Sequence, residues 1–492
     1  MWLKLIAFPL LAALLFVVTA QPPKNQPNIV IILADDLGQG DLGAFNPASK
    51  IQMPHVNRLA KEGMRFVDAH SGSAVCTPTR YGLLTGRYSF RSSMKRGVLQ
   101  GYSPPLIDSG RTTIASLAQR AGYTTACIGK WHLGLDWKKK DPQQPLFVGE
   151  PMTPTHVNVE YAKPVAGVNR LGFDYSFVLP ASLDMSPYCF VENGRVVNPQ
   201  TRTIQGHDMS VRELFYRTGH ISTDLNMTDF LPRFVREAVG FIDRNRNKPF
   251  LLYLPLSSPH TPWAIEEPFR GKSAIGPYGD FVQQTDHYVG QVMAALERNR
   301  LTDNTIVMFT SDNGSYWTEA DIRESDHLSN NRLRGMKADI FEGGHRVPFV
   351  VRWPGHVQPN SRQTATVCLT DILATLADIT RQPIPAGTAE DSYSLLPLLT
   401  PQKSSAFTRP FTIHHSGDGK FAIRQGDWKY VSSLGSGGFT TPKNVVPQPG
   451  GPTGQLYNLR NDPKEQTNLF GQKPGLVADL AKKLAVFEEI GR

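Results

Sequence analysis

Between about Asn28 and Pro385 the chain alternates short apolar runs with segments of helical period, and few architectures accommodate that pattern. Asn28 to Ala34 (Asn-Ile-Val-Ile-Ile-Leu-Ala) has no polar face, as expected of a strand buried on both sides. Thr124 to Ile128, Phe250 to Leu256 and Thr305 to Thr310 read as further strands. Between them lie helical spacings. His55 to Phe66 places Val56, Leu59, Ala60, Gly63 and Met64 on one face. Ile114, Leu117, Ala118 and Ala121 repeat the spacing before a stop at Gly122, and Tyr278 to Arg298 turns Phe281, Tyr288, Val289, Val292 and Leu296 inward. Strands alternating with helices predict an α/β fold, a mostly parallel sheet covered on both faces.

After Pro383-Ile384-Pro385 the character changes. Phe411 to His415, Phe421 to Arg424 and Trp428 to Val431 read as short strands joined by turns, and Leu476 to Ile490 as an amphipathic helix. These features predict a catalytic-size unit over 21–385 and a smaller C-terminal α+β unit over 386–492, with Gly435 to Gly454 as a Gly/Pro-rich surface loop. The N-terminus decides the expected compartment. Lys4, an apolar run from Leu5 to Val18, and Val18-Thr19-Ala20 form a signal peptide over residues 1–20, too short for a typical membrane span. The mature chain is therefore expected to be exported without a membrane span: periplasmic in a bacterium, otherwise secreted or lysosomal. The formal charge of +9 is scattered, and its one compact run, Lys138-Lys139-Lys140, reads as a solvated loop. No basic face interleaved with aromatics suggests nucleic acid as a partner.

Ligands of open α/β sheets bind beyond the carboxyl ends of the strands, so the residues that follow each strand are informative. They are Asp35-Asp36, Lys130 with His132, Ser257-Ser258-Pro259-His260, and Ser311-Asp312-Asn313. Asp35, Asp36, Asp312 and Asn313 form an all-oxygen donor set that suits a hard cation, Ca²⁺ or Mg²⁺. An isolated Asp-Asp pair would be a cap or a turn; the convergence of several strand ends favours a site. Asn313-Gly314-Ser315 and Asn226-Met227-Thr228 match glycosylation sequons, and burial of Asn313 as a ligand would leave only Asn226.

The four cysteines, Cys76, Cys127, Cys189 and Cys368, are too irregularly spaced for a disulfide framework or a zinc site. Cys127 and Cys368 lie in apolar segments. Cys76 instead begins Cys-Thr-Pro-Thr-Arg-Tyr-Gly-Leu-Leu-Thr-Gly-Arg. Pro78 is tolerated only in a helix's first turn, which puts Cys76 at the N-terminus, where free N–H groups and the dipole favour an anion. Arg80, one turn on, can reach back toward it.

The pattern Cys-x-Pro-x-Arg followed by Leu-Thr-Gly-Arg resembles the signature of the type I sulfatases, in which the cysteine is oxidised to formylglycine. Ile-Leu-Ala-Asp-Asp-Leu-Gly, Gly-Lys-Trp-His-Leu-Gly, Ser-Pro-His-Thr-Pro, Ser-Asp-Asn-Gly and the stretch from Arg334-Gly335-Met336-Lys337 to Val347-Pro348 are similar to that family in the same order. The resemblance implies an alkaline-phosphatase-like fold, a mostly parallel central sheet sandwiched by helices, with a short antiparallel sheet in the C-terminal unit. It implies hydrolysis of sulfate monoesters, of an extracellular carbohydrate or glycosaminoglycan-like substrate or of aryl sulfates. A formylglycine-generating enzyme would act during maturation. Asp35, Asp36, Asp312, Asn313 and residue 76 would hold Ca²⁺, with Mg²⁺ less favoured. Residue 76, as a hydrated aldehyde, would attack sulfur with one hydroxyl and expel sulfate with the other. Arg80 and Lys130 would hold and polarise it, Lys337 would bind the sulfate, His132 would take the hydroxyl proton and His260 would protonate the leaving oxygen. Thr79 stands where many members have serine. His156, His207, His327 and the Asp184 to Glu192 segment are loop candidates for substrate contact, and Gly172-Phe173-Asp174 is expected to be structural.

Two other functions fit parts of this pattern. A phosphatase or phosphodiesterase of the same superfamily would need two zinc ions, several histidine ligands and a serine or threonine nucleophile. An inactive glycan-binding homologue would gain nothing from the intact Lys130, His132, His260 and Lys337.

Overall fold

The computed structural model describes residues 26–150, 152–400 and 407–491, and the expected signal peptide over 1–20 lies outside them. The main sheet has ten strands. In chain order they are β1 (Asn28–Ala34), β2 (Met64–Phe66), β3 (Thr124–Lys130), β4 (Tyr175–Leu179), β5 (Val191–Glu192), β6 (Arg195–Val196), β7 (Phe250–Pro255), β8 (Thr305–Ser311), β9 (Phe349–Arg352) and β10 (Ser361–Gln363). In space they run β10-β2-β9-β8-β1-β7-β3-β4-β5-β6. The central strands β8, β1, β7, β3 and β4 are mutually parallel. Antiparallel pairs occur toward the edges, at β8–β9, β9–β2, β4–β5 and β5–β6.

The two-residue period of β1 divides the core. Ile29, Ile31 and Leu33 face one side, where α2 (Cys76–Thr85), α3 (Ile114–Arg120) and α6 (Asp371–Thr380) pack through Leu83, Leu117 and Ile372. Val30, Ile32 and Ala34 face the other, against α1 (Pro54–Glu62), α4 (Phe230–Asn245) and α5 (Pro277–Arg298) through Val56, Phe234 and Phe281. Both faces are covered, as the unbroken apolar strands required.

One expected helix is cut short. The helical spacing over His55 to Phe66 ends at Glu62, and Met64–Phe66 is instead a strand paired with β9. Gly63 makes the change possible: a Cβ there would lie 2.4 Å from the Val351 carbonyl oxygen, so only glycine lets the two backbones meet.

The C-terminal unit is a consecutive antiparallel sheet of β11 (Thr412–His415), β12 (Phe421–Gln425), β13 (Trp428–Val431) and β14 (Gln455–Asn458). Leu480 and Leu484 of the last helix, α7 (Pro474–Gly491), cover Ile413, Ile423 and Leu456. A buried ionic network joins this sheet to the main unit. Lys429 Nζ lies 3.1 Å from Glu342 Oε1 and 2.9 Å from Glu465 Oε1, all three side chains fully buried. Arg424 pairs with Asp68 at 2.8 Å. Removing one member of such a network strands buried charge, at about 3–5 kcal/mol. Lys429→Met should therefore lower the melting temperature and expose the 407–491 region to limited proteolysis. Lys483→Met, which removes an exposed pair with Asp479, should change neither.

Candidate active site

Four adjacent parallel strands, β8, β1, β7 and β3, point their carboxyl ends to the same edge of the sheet, and the strand-end residues meet there. Asp35 and Asp36 follow β1, Asp312 and Asn313 follow β8, Lys130 ends β3 with His132 just beyond, and His260 follows β7. Asp36 and His132 have left-handed backbones, φ 64° and 54°, uncommon for residues with a side chain and found where a site holds the backbone in place.

The three carboxylates are buried and matched by three cations. Lys130 Nζ donates to Asp35 Oδ2 at 2.6 Å and to Ser182 Oγ at 3.1 Å. Arg80 donates through Nη2 to Asp312 Oδ2 at 2.7 Å and lies 3.4 Å from Asp35 Oδ1. Lys337 Nζ donates to Asp36 Oδ2 at 2.8 Å. Asn313 Nδ2 donates to Asp36 Oδ1 at 2.6 Å, leaving its own Oδ1 buried without a partner among the described residues. Despite burial, the Lys130, His260 and Arg80 charges hold the Asp35 carboxyl well below the usual range.

Cys76 is the first residue of α2, with Val75 as its extended N-cap, as Pro78 required. Its Sγ lies 3.7 Å from Asp35 Oδ1. Arg80 does not turn back onto residue 76; its hydrogen bonds go to Asp312 and the Lys130 carbonyl. Burial pushes the Cys76 thiol well above its ordinary range, against the pull of Lys130 and Lys337. Ligand atoms of Asp35, Asp36, Cys76 and His260 all lie within 4.8 Å of one another. The histidines are oriented by backbone carbonyls. His260 Nδ1 sits 2.6 Å from the Thr261 oxygen, which turns Nε2 toward Asp36 Oδ2 at 3.7 Å. His132 Nε2 sits 2.8 Å from the Leu99 oxygen, while Nδ1 is buried without a partner among the described residues. Burial lowers the pKa of both rings, with Lys130 and Arg80 adding to the effect at His132 and Lys337 at His260.

All ten positions expected at the site fall in or beside this cluster, whereas the separate loop candidates divide. Cys76, His132, His260, Lys337 and Asp184 line a cavity of about 380 Å³. His327 is buried and bound to Asp41 at 2.8 Å, a structural role, and His156 and His207 are exposed and do not line the cavity. Asp174 of Gly172-Phe173-Asp174 accepts from the Thr125 amide at 2.9 Å, also structural. Asn313 is fully buried, which rules out its sequon as a glycan acceptor in the folded chain. All four cysteines are buried free thiols. Ser182, which supports Lys130, carried no signal in the sequence beyond following β4. The loop over Gly435 to Gly454 departs from expectation: Ser436 and Gly438 are buried against the segment that follows Lys337, Gly437 is buried against Ser416 and Lys420, and residues 437–439 line the cavity.

A cavity that ends on a matched set of buried charges, with two oriented imidazoles and a helix N-terminus, has the parts of an enzyme active site for a small polar substrate. Comparison with known proteins makes that specific. The family profile described as Sulfatase matches residues 27–382. The chain is 34% identical over 94% of its length, and 93% of the other's, to an N-acetylgalactosamine-6-O-sulfatase of Bacteroides thetaiotaomicron. It is 31% identical, over 81% of this chain and 74% of the relative, to the steryl-sulfatase of Homo sapiens. A solved Bacteroides thetaiotaomicron sulfatase described in connection with the metabolism of multiple glycosaminoglycans superposes with a TM-score of 0.80 at 32% identity, covering 95% of this chain and all of that one. The chain belongs to the sulfatase family, and it is a sulfuric ester hydrolase.

Ser182 gives a test of the charge arrangement. Its hydroxyl is one of two acceptors holding the buried Lys130 ammonium. Ser182→Ala should cut kcat on an aryl sulfate by roughly tenfold, about the value of one hydrogen bond to a charged group, with a small fall in melting temperature. An unaltered kcat would show that Lys130 needs no second anchor.

Proposed function

We propose that this sulfatase removes sulfate from a carbohydrate, using a nucleophile made by oxidising Cys76 to formylglycine and a Ca²⁺ ion held by Asp35, Asp36, Asp312, Asn313 and residue 76. The observation that carries this reading is the position of Cys76, buried at a helix N-terminus 3.7 Å from Asp35 and facing a cavity. A thiol pushed above its ordinary range is a poor nucleophile where it stands, which favours a modified residue. The orphaned Asn313 Oδ1 and the carboxylate donors fit a hard, oxygen-seeking cation; Mg²⁺ would fit less well in a crowded all-protein cage. When bound, the cation would supply charge stabilisation to the sulfuryl oxygens and ease ionisation of the attacking hydroxyl. As a hydrated aldehyde, residue 76 would supply that hydroxyl and a second one whose proton is later removed.

The chain's own residues do the rest. Three carboxylates against three cations leave the centre formally balanced, so a bound dication would leave it net positive toward a sulfate ester. Lys337, the most peripheral of the three cations, is placed to swing from Asp36 onto a sulfuryl oxygen. Lys130 and Arg80 stay on Asp35 and Asp312 and keep those carboxylates oriented toward the cation. His132, bound through Nε2 to Leu99, presents Nδ1 as the base for the proton of residue 76. His260, bound through Nδ1 to Thr261, presents Nε2 toward the leaving oxygen. Burial and Lys337 depress its basicity in the resting site, and an anionic ester arriving at Nε2 raises it again, loading the proton where it is used.

The relatives named above support a sulfated sugar as the leaving group, with N-acetylgalactosamine 6-sulfate as the first to test. A cavity of about 380 Å³ has room for roughly one sulfated monosaccharide. We read residues 1–20 as the export signal, in keeping with an extracellular or periplasmic glycan and a formylglycine-generating enzyme met before export is complete. The catalytic unit then runs over 21–385 and the α+β unit over 386–492.

Mass spectrometry of the tryptic peptide containing residue 76 should show the aldehyde and its hydrate in place of cysteine. Cys76→Ala should abolish turnover while retaining the fold and calcium binding, and full activity in that variant would refute the assignment. Chelation of the wild type should remove activity, with Ca²⁺ restoring it better than Mg²⁺. Paired aryl sulfate and aryl phosphate assays should favour the sulfate by several orders of magnitude in kcat/KM.

A further inference from the structure

Phe439 is 53% exposed, yet the loop that carries it is held as firmly as a core element. Ile340 N–H donates to the Ser436 carbonyl at 2.8 Å, and Gly437 N–H donates to the Lys443 carbonyl at 2.9 Å. Thr440 donates to Asp339 through both its amide, at 3.0 Å, and its hydroxyl. Gly437 is left-handed, φ 64°, and a Cβ on Gly438 would lie 2.3 Å from the Ala338 carbonyl carbon, so only glycine fits beneath the tip. The result is a rigid hook, docked on the two residues after Lys337, with a large apolar side chain at its solvent end. The Phe439 ring meets Tyr316 edge-on at 5.2 Å and otherwise faces the cavity that contains residue 76. On the same wall Asp418 and Lys443 pair at 3.0 Å, with side chains 39% and 51% exposed.

We propose that Phe439 is the stacking platform for the sugar ring of the leaving group, and that Asp418 and Lys443 bind hydroxyls of that ring. The proposal rests on the carbohydrate reading above. A pyranose has a C–H face that packs on an aromatic ring and a rim of hydroxyls that act as both donors and acceptors. The wall supplies the matching parts: an exposed ring on a preorganised loop, a carboxylate to accept and an ammonium to donate. An aryl group could stack on Phe439, but it would leave the Asp418–Lys443 pair unused. The polar pair beside the ring is what points to a sugar. Neither residue has a role in the chemistry at sulfur, so their contribution is to substrate binding.

The test uses the full-length enzyme with N-acetylgalactosamine 6-sulfate as the sugar probe and methylumbelliferyl sulfate as a probe without sugar hydroxyls. Phe439→Ala should raise KM for the sugar sulfate about five- to tenfold while kcat moves less than threefold, and Phe439→Trp should restore KM to within about twofold of wild type. Asp418→Asn should raise KM for the sugar sulfate by more than it does for the aryl sulfate. A KM unchanged within twofold in Phe439→Ala would overturn the proposal. So would a fall in kcat of equal size on both probes that Trp fails to rescue, because the hook would then act only by positioning Lys337. Failure of the carbohydrate reading shows separately, in the wild type alone: hydrolysis of methylumbelliferyl sulfate with none of N-acetylgalactosamine 6-sulfate or other sugar monosulfates.

Discussion

Three carboxylates buried at one edge of a parallel sheet are the constraint on which this molecule is organised. Asp35, Asp36 and Asp312 leave adjacent strands at the same level, and none can be moved without breaking β1 or β8. Like charges at such range in a dry site repel by several kcal/mol, so each must be met by a cation. The chain recruits these from separate places: Arg80 from a helix, Lys130 from the end of β3, Lys337 from a long connection. Even so the match is incomplete, because burial and the repulsion of Asp35 push the Asp312 carboxyl up to about 7. On the function proposed above, a bound cation would relieve that strain.

Lys337 is the costliest of the three to place, since no strand or helix carries it. Its neighbours are tied from both sides. Ala338 N–H donates to the Ala74 carbonyl at 2.7 Å, joining it to the loop that leads into Cys76, and Gly417 N–H donates to the Ala338 carbonyl at 2.8 Å. A few residues on, Glu342 is locked to Lys429 of the C-terminal sheet. That sheet supplies no group to the chemistry, yet it clamps the segment bearing Lys337 and, through Ala74 N–H on the His415 carbonyl, the segment bearing residue 76. The buried ionic network between the two units therefore has a role beyond holding them together. It fixes the distance between Lys337 and residue 76.

How much of this could be read from the residues follows from the range of the interactions involved. The core strands were legible because burial on both faces leaves unbroken apolar runs, and the strand ends were legible because an open parallel sheet collects ligands at one edge. Asp35, Asp36, Lys130, His132, His260, Asp312 and Asn313 all came from that one rule, and Cys76 from the single turn that admits Pro78. The edge strands were not legible. Met64–Phe66 continues a helical spacing and becomes a strand only because Gly63 lets it meet β9, a contact about 290 positions away in sequence. Ser182 was missed for the same reason, its partner being a lysine on another strand. Arg80 was placed correctly and aimed wrongly: local helix geometry pointed it at residue 76, and the unneutralised Asp312 claimed it instead.

The hook over Ser436 to Lys443 is the hardest part to read, since glycine and proline signal a loop without saying what the loop touches. It also sets a limit on how substrate preference can change. Its tip, Phe439 with Lys443 and the facing Asp418, is exposed, and substitution there alters what the cavity wall offers while leaving the chemistry alone. Its base is different. Gly438 and Thr440 pack on Ala338 and Asp339, the residues that follow Lys337, and a side chain added at Gly438 would displace that segment, whereas one at Gly437 would meet Ser416 and Lys420. The proposed specificity and catalytic residues thus share one short stretch of backbone. On the proposals above, variation would be tolerated at the surface of the hook and not at its root, because the root is also the floor on which Lys337 stands.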